Sequence, residues 1–327
     1  MKKETTIIPI AGGKGGVGKT MVATNLGIAL SELGHSTIIV DLDLGGSNLH
    51  SCLGFPNRNP GIGDYLKFSE IPFGELPIQT EWSNLKFIPG DGRVPFMANI
   101  TYNQKKKLIK KIKTLPAKFV LLDLGAGTSF NTLDLFRISN SGLIITQPEK
   151  HALLNMLTFI KNTVYRSIDR AFSKRWDAQN AFQHACSRPI SEKPETMHSI
   201  RKKVALVDKE AAAMIDDICN KIRPRIILNF GTQPDDLEVM SKTTQAIQQV
   251  LSMKADHFGF IFEDPSVHES MIQGLPLMKI NPDGVAATCL KLIAERIDEW
   301  WDKDLDDFEP RLLKHTKHFY EQLKVTP

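Results

Sequence analysis

Residues 12–20 read Gly-Gly-Lys-Gly-Gly-Val-Gly-Lys-Thr, which fits the phosphate-binding pattern G-x-x-x-x-G-K-[ST]. In such a loop, successive backbone N–H groups point at one anion, in conformations that glycine allows. Lys19 is placed to reach the β- and γ-phosphates of a nucleotide, and the Thr20 hydroxyl is placed to bind Mg²⁺. A second lysine, Lys14, lies inside the loop, although an ordinary phosphate loop does not need it. The predicted nucleotide-binding residues are Gly13, Lys14, Gly15, Gly16, Val17, Gly18, Lys19, Thr20 and Met21.

Carboxylates follow two other apolar runs. Asp41 and Asp43 come after the run 37–40, and one could contribute to a Mg²⁺ shell while the other orients an attacking water. Asp123 ends the run 119–122 as a Walker-B aspartate does, so we predict that it meets Mg²⁺. Asn229 ends a later run and either reads an adenine edge or serves as a turn residue.

Strand-like apolar runs alternate with helical patterns along the chain. This alternation predicts an α/β fold with a mainly parallel, twisted sheet flanked by helices on both faces. Ligands of such sheets bind beyond the carboxyl ends of the strands, which is where the residues above are placed. The predicted strands are Ile7–Ile10, Thr37–Val40, Leu85–Ile88, Phe119–Leu122, Gly142–Thr146, Arg225–Asn229 and Phe258–Phe262.

Two regions stand outside this alternation. Residues 161–224 lack strand patterning and are predicted to form a helical insertion with a loop at 187–194. Residues 298–327 are predicted to form a C-terminal tail, in which an acidic stretch precedes a helix at 311–324. We expect both regions to belong to one phosphate-loop domain that spans residues 1–327.

The net charge, the cysteine spacing and the length of the apolar stretches limit the classes of protein to which this chain can belong. The net charge of +4 neither demands nor excludes contact with nucleic acid or anionic lipid. The four cysteines are scattered without a C-x-x-C pair, which disfavours a zinc ribbon or a paired metal-cluster site. We see no signal peptide and no apolar stretch of membrane-spanning length, so we expect a cytoplasmic protein. A lysine-rich amphipathic helix over 105–113 either faces solvent, with its apolar side on the sheet, or touches DNA or lipid.

The loop with Lys14 resembles the deviant Walker A motif of the MinD/ParA ATPases, and most closely that of the MinD and FlhG (FleN) branch. The segment from Asp41 to Asn48 resembles the switch I of this family, and 123–127 resembles its switch II. The segment 146–149, Thr-Gln-Pro-Glu, is similar to the family's Thr-x-Pro-Glu. The likeness covers residues 5–160 and 225–297. His50 departs from it, since the branch commonly has aspartate there.

The resemblance implies a P-loop NTPase of the SIMIBI type that uses ATP, ADP and Mg²⁺. It implies a homodimer closed around two ATP molecules, in which Lys14 of each subunit reaches the phosphates of the other. Lys14, Lys19 and Asp43 would then be the catalytic residues, with Asp43 positioning water. Thr20, Asp41 and Asp123 would serve Mg²⁺, and Asn229 would contact the base.

The resemblance also leads us to expect an ATP-driven monomer–dimer switch that positions a cellular structure, such as a flagellum or a division site. Hydrolysis would be slow and stimulated by an activating or cargo partner. The MinD proteins that the chain resembles end in a membrane-binding helix, so residues 311–324 either touch the inner membrane, including that of a cell pole, or pack on the domain. The alternatives are a ParA-like DNA-partitioning ATPase and a metabolic or assembly factor on the same scaffold.

Overall fold

The computed structural model describes residues 5–68, 70–90, 94, 97–187, 195–303, 305 and 308–325. Within these residues one eight-stranded sheet has the order β3-β4-β2-β5-β1-β6-β7-β8. All neighbouring strands are parallel except β3 and β4, which are antiparallel. The strands are β1 Thr6–Ala11, β2 Thr37–Leu42, β3 Ile78–Gln79, β4 Leu85–Ile88, β5 Phe119–Leu124, β6 Leu143–Thr146, β7 Arg225–Gly231 and β8 Asp256–Phe262.

The predicted mainly parallel sheet is confirmed, and each predicted run forms a strand. Every residue of β2 and β5 is buried, and because successive side chains point to opposite faces, both faces of the sheet are covered. These two strands extend two residues beyond their predicted ends and so include Asp41 and Asp123. The sequence analysis missed β3, whose two residues are too few to show a period.

Helices connect and cover the strands. Those in the described residues are α1 Lys19–Glu32, α2 Leu49–Cys52, α3 Ile62–Lys67, α4 Tyr102–Ile112, α5 Phe130–Phe136, α6 Lys150–Ala171, α7 Trp176–Cys186, α8 Met197–Ala205, α9 Lys209–Lys221, α10 Asp236–Leu251, α11 Pro265–Gln273, α12 Leu277–Ile280, α13 Val285–Trp300 and α14 Phe308–Val325. Helix α4 starts at a capping box of Thr101 and Gln104, and it buries Leu108, Ile112 and also Lys105, which pairs with Asp134. This packing favours the interpretation in which the apolar side lies on the sheet and the lysines other than Lys105 face solvent.

The helical insertion begins within α6, the helix that follows β6. Helix α6 begins at Lys150, before the predicted boundary at 161, and runs without a break into the insertion, which continues as α7 to α9. Phe172, Phe182 and Ile215 belong to the same continuous hydrophobic cluster as the sheet. Of the predicted loop at 187–194, only Ser187 lies within the described residues. The boundaries of the insertion and of the single domain stay predictions.

The C-terminal helix α14 packs against the edge strand β8. Leu312 is buried, and the rings of Phe319 and Tyr320 lie 6.1 and 5.5 Å from the Phe262 ring. The apolar side of α14 is therefore covered by the sheet, which favours the packed interpretation over a helix that lies on a membrane. A lipid contact through these side chains would require α14 to leave β8. Among the described residues, no helix has the length and apolarity needed to cross a bilayer.

Candidate nucleotide-binding site

The glycine-rich loop connects the end of β1 to the start of α1, as the motif requires. Gly18 precedes α1 in the left-handed conformation, with φ of 88°, which disfavours any residue with a side chain. Gly13 lies against α6, where a β-carbon would come within 2.2 Å of the Asn155 backbone. Helix α6 therefore forms one wall of the loop. A side chain at position 13 would clash with the backbone of this helix, which cannot move aside as a flexible side chain could.

The two lysines of the loop have different surroundings. Lys19 is 8% exposed and makes no hydrogen bond or ion pair within the described residues. The Lys14 side chain is 35% exposed, and its ammonium lies 3.5 Å from Glu149 Oε2. A buried, unpaired cation at the start of a helix suits a phosphate of the same chain, because the helix N-terminus attracts the same anion. Lys14 instead remains available at the surface.

The segment after β6 contacts the loop in two places. Gln147 donates a hydrogen bond from Nε2 to the carbonyl oxygen of Gly16 over 3.3 Å, and Glu149 forms an ion pair with Lys14. The sequence analysis noted this segment only as a likeness and assigned no role to either side chain. Gln147 and Glu149 are separated from the loop by more than 130 residues, so sequence spacing alone gives no signal for these contacts.

Asp41 and Asp123 are neighbours on adjacent parallel strands, because Asp41 of β2 is in register with Asp123 of β5. Both side chains are buried. Burial raises the pKa of Asp123 most strongly, and the charge of Asp41 raises it further, while Thr20 and Lys19 oppose the rise. Burial also raises the pKa of Asp41, although hydrogen bonds from Ser47, Leu49 and Asp43 counteract it. Two desolvated carboxylates side by side form a site that favours a cation.

The carboxylate of Asp41 organises the loop that follows β2. Its Oδ2 accepts hydrogen bonds from the Ser47 hydroxyl at 2.6 Å and the Leu49 N–H at 3.2 Å, and Oδ1 accepts the Asp43 N–H at 3.1 Å. Asp43 lies close to the segment after β5, since a β-carbon at Gly125 would be 3.0 Å from Asp43 Oδ1. The two predicted switch segments, 41–48 and 123–127, therefore lie next to each other. The hydrogen bonds to Asp41 stabilise the conformation of the first segment.

The residues present fit a magnesium ion. Both carboxylate oxygens of Asp123 are buried and have no hydrogen-bond partner within the described residues. Burying a carboxylate without hydrogen-bond partners costs free energy unless a cation or a water molecule binds its oxygens. The half-buried Thr20 follows Lys19 in the first turn of α1 and is near enough to lower the pKa of Asp123. Thr20 and Asp123 are thus the strongest Mg²⁺ candidates, whereas Asp41 already has three hydrogen bonds.

Asn229 lies beneath the phosphate loop. It is fully buried, and its Nδ2 donates a hydrogen bond to the carbonyl oxygen of Val17 over 2.9 Å. The structure therefore gives Asn229 a loop-supporting contact that the sequence analysis did not predict. Its Oδ1 has no partner within the described residues, and the contact with an adenine base stays a prediction. The next residue, Phe230, has a φ of 57°, an unusual strain for a bulky residue beside a site.

Comparisons with known proteins agree with this geometry. Residues 8–277 match the family described as the CobQ/CobB/MinD/ParA nucleotide binding domain. The chain belongs to this family. The match covers the phosphate loop, both carboxylate-bearing strands and Asn229, so the predicted membership in the MinD/ParA group is confirmed.

Individual relatives extend the comparison. The septum site-determining protein MinD of Thermotoga maritima is 30% identical over 149 residues, which are 45% of this chain and 54% of the relative. The chain thus spans about half the length of the curated relatives it matches. The solved structure of MinD with Mg-ADP from Pyrococcus horikoshii is 23% identical, with a TM-score of 0.57 over 91% of this chain and 98% of the other.

A ParA family ATPase from Chlorobium tepidum shows the same overall likeness. It is 18% identical, with a TM-score of 0.57, and the alignment covers 90% of this chain and 98% of that one. At these identities the solved structures establish the fold, and they confirm the predicted P-loop NTPase architecture. The roles of individual site residues stay predictions that rest on the geometry above.

Proposed function

We propose that this protein is a Mg²⁺-dependent ATPase that switches between a monomer and an ATP-bound homodimer. One observation carries the proposal: two lysines of one phosphate loop have opposite placements. Lys19 is buried beside Asp123, whereas Lys14 is partly exposed and forms an ion pair only with Glu149 among the described residues. The loop of a single chain needs one lysine for its phosphates. The second, outward lysine suits the phosphates bound to a second copy of the chain.

The electrostatics of the pair explain why closure would require nucleotide. Without ATP, the two Lys14 ammonium groups of facing subunits would meet with no anion between them. With ATP, each ammonium would neutralise charge on the transferring phosphoryl group, as an arginine supplied from another protein does. Glu149 holds Lys14 at 3.5 Å in the single chain, so closure would exchange this exposed ion pair for a phosphate contact.

The remaining residues would bind and orient the reactants. Lys19 and the backbone of 13–18 would hold the phosphates, while Thr20 and Asp123 would hold Mg²⁺. The ion would supply charge neutralisation on the β- and γ-phosphates. Asp43 would orient the attacking water, because it lies at the junction of the two switch segments next to Gly125. Asp41 would keep Asp43 in place through the hydrogen bond from the Asp43 N–H.

The cellular role follows by analogy. A relative from Thermotoga maritima is named a septum site-determining protein, and a solved complex from Aquifex aeolicus pairs MinD with MinC. We propose that this chain likewise positions a cellular structure, either a division site or a flagellum. A protein partner would select the cargo and accelerate an otherwise slow hydrolysis. We propose that the protein acts in the cytoplasm and at the inner membrane or a cell pole.

Two variants of the loop test the switch. Lys14→Ala should retain ATP binding but lose dimerisation and hydrolysis, since the lost cation serves the other subunit. Lys19→Ala should lose nucleotide binding itself. A fluorescent ATP analogue measures binding, and light scattering with and without ATP measures the mass. If the wild-type protein has the same mass in both conditions, or if Lys14→Ala still dimerises, the switch is wrong.

A third variant tests the role of Asp43. Asp43→Ala should bind ATP and remain dimeric, because water would no longer be oriented for attack and hydrolysis could not reset the dimer. The expected result is a dimer that persists in ATP for much longer than the wild-type dimer. An Asp43→Ala protein that stays monomeric in ATP would show that Asp43 supports closure rather than the chemical step.

A further inference from the structure

Three exposed apolar side chains lie at two turns of the helical insertion. Leu206 is 86% exposed, Trp176 is 75% exposed and Val207 is 55% exposed. Leu206 and Trp176 are the two most exposed large apolar residues in the described part of the chain. Single exposed apolar residues are ordinary on protein surfaces, whereas a cluster that includes tryptophan points to an interaction site. We call these three residues the insertion tip.

An ion pair joins the two turns that carry these three residues. Arg175 immediately precedes Trp176 at the start of α7, and Asp208 immediately follows Val207 between α8 and α9. The guanidinium of Arg175 lies 2.7 Å from Asp208 Oδ2 and 2.7 Å from Glu210 Oε2. Asp208 also caps α9 by accepting the Ala211 N–H. The turns that carry Trp176 and Leu206 are therefore joined by the ion pair, and the helix cap fixes the position of Asp208.

The insertion tip lies far from the nucleotide site. Helix α6 starts at Lys150, next to the Glu149 that contacts the phosphate loop, and it has 22 residues. A helix of this length spans about 33 Å at 1.5 Å per residue. Because Trp176 follows shortly after the end of α6, a second subunit docked over the phosphate loop would leave the insertion tip uncovered.

The charges around the insertion tip are positive on balance. Lys174, Lys202 and Lys209 are exposed and have no ion-pair partner within the described residues. These three lysines and Arg175 carry four positive charges against the three negative charges of Asp177, Asp208 and Glu210, which leaves a net charge of +1. Lysines that surround exposed tryptophan and leucine complement a surface with an apolar interior and anionic head groups.

We propose that the insertion tip docks on a lipid bilayer that contains anionic head groups. Trp176 and Leu206 would enter the interfacial region, and the three lysines would contact phosphates. Tryptophan favours this region because its ring is apolar and its N–H can remain hydrogen-bonded. The contact does not require α14 to leave β8, and it does not depend on the nucleotide switch. A protein partner that recognises the same patch is the competing outcome.

Vesicle binding by the full chain tests the proposal. Vesicles of phosphatidylethanolamine and phosphatidylglycerol are compared with vesicles of phosphatidylcholine, with ADP and without nucleotide. Wild-type protein should co-sediment with the anionic vesicles, and Leu206→Ser should bind about tenfold more weakly, since one buried leucine accounts for at least that factor. Ile272→Ser is the matched control, because Ile272 is 73% exposed on α11 and should leave binding unchanged.

Tryptophan emission gives a second readout. The chain has four tryptophans, so the contribution of Trp176 is isolated by comparing wild type with Trp176→Phe. Anionic vesicles should shift wild-type emission to shorter wavelength, and the shift should be largely absent in Trp176→Phe. The proposal is overturned if wild-type emission does not shift, or if Leu206→Ser binds vesicles as wild type does. It is also overturned if the variants change only self-association or binding to a protein. Monomeric behaviour in ATP would refute the switch without affecting this test.

Discussion

The ion pair between Lys14 and Glu149 should oppose dimerisation. In the single chain the Lys14 ammonium lies 3.5 Å from Glu149 Oε2, and the closed dimer would require this ammonium at the partner's phosphate. Glu149→Gln removes the charge of the competitor but preserves the size of the side chain. We therefore expect Glu149→Gln to form the ATP-bound dimer at a lower protein concentration than wild type.

The magnitude follows from the exposure of the pair. The two side chains are 35% and 66% exposed, so solvent screens their attraction. Exposed ion pairs contribute about 0.2–1 kcal/mol, and a dimer would break two of them, about 0.4–2 kcal/mol in total. The dimer dissociation constant should thus decrease by a factor of about 2 to 30. Because salt screens exposed charges, this difference should shrink as the ionic strength rises.

Sedimentation equilibrium with a non-hydrolysable ATP analogue and Mg²⁺ measures this constant without interference from turnover. The matched control is Asp216→Asn, which removes a comparably exposed ion pair with Arg201 in the helical insertion, 37% and 47% exposed. It should leave dimerisation unchanged. A weaker dimer in Glu149→Gln would refute the reasoning, because Glu149 would then contribute to the closed state. An unchanged constant at low salt would show that Lys14 and Glu149 do not compete with closure.

Other substitutions test the scaffold. Gly13→Ala should lower the free energy of unfolding by about 1–3 kcal/mol because its β-carbon would meet the Asn155 backbone, whereas Gly15→Ala, with open space around it, should not; urea unfolding compares them. Asp134→Asn should lower the free energy of unfolding by about 3–5 kcal/mol, since three cations surround this buried carboxylate. Burial raises the pKa of Asp134, but hydrogen bonds from those cations outweigh it and the pKa lies below 3.8. The wild-type protein should therefore be more stable than Asp134→Asn by the full amount at neutral pH, and this difference in unfolding free energy should be lost as the pH falls below about 3.8. A difference that does not depend on pH would contradict the ionic account. Leu312→Ala should cost about 2–5 kcal/mol if α14 stays on β8, and no change in thermal unfolding would indicate a detached helix.

The sequence was sufficient to predict a phosphate loop and the strands that place carboxylates beside it. The spacing of Gly13, Lys19 and Thr20 defines a phosphate loop by itself, because backbone geometry and side-chain reach are local properties. The apolar runs that end near Asp41 and Asp123 were sufficient to predict parallel strands with carboxylates at one edge. Buried parallel strands have near-continuous apolar sequences, so their pattern is strong. The two-residue strand β3 lacks any such pattern.

Only the tertiary structure decided which groups meet across long separations. The strand order places Asp41 beside Asp123, and the fold brings Glu149 to Lys14 and Asn229 to the loop carbonyl of Val17. It also settles the surroundings of α14, whose apolar side fits either lipid or protein when read alone. Helical periodicity shows that a face is apolar but not what covers it, since that depends on packing between segments distant in the chain. For this reason the insertion tip, formed by two turns joined through Arg175, could not be recognised from the sequence.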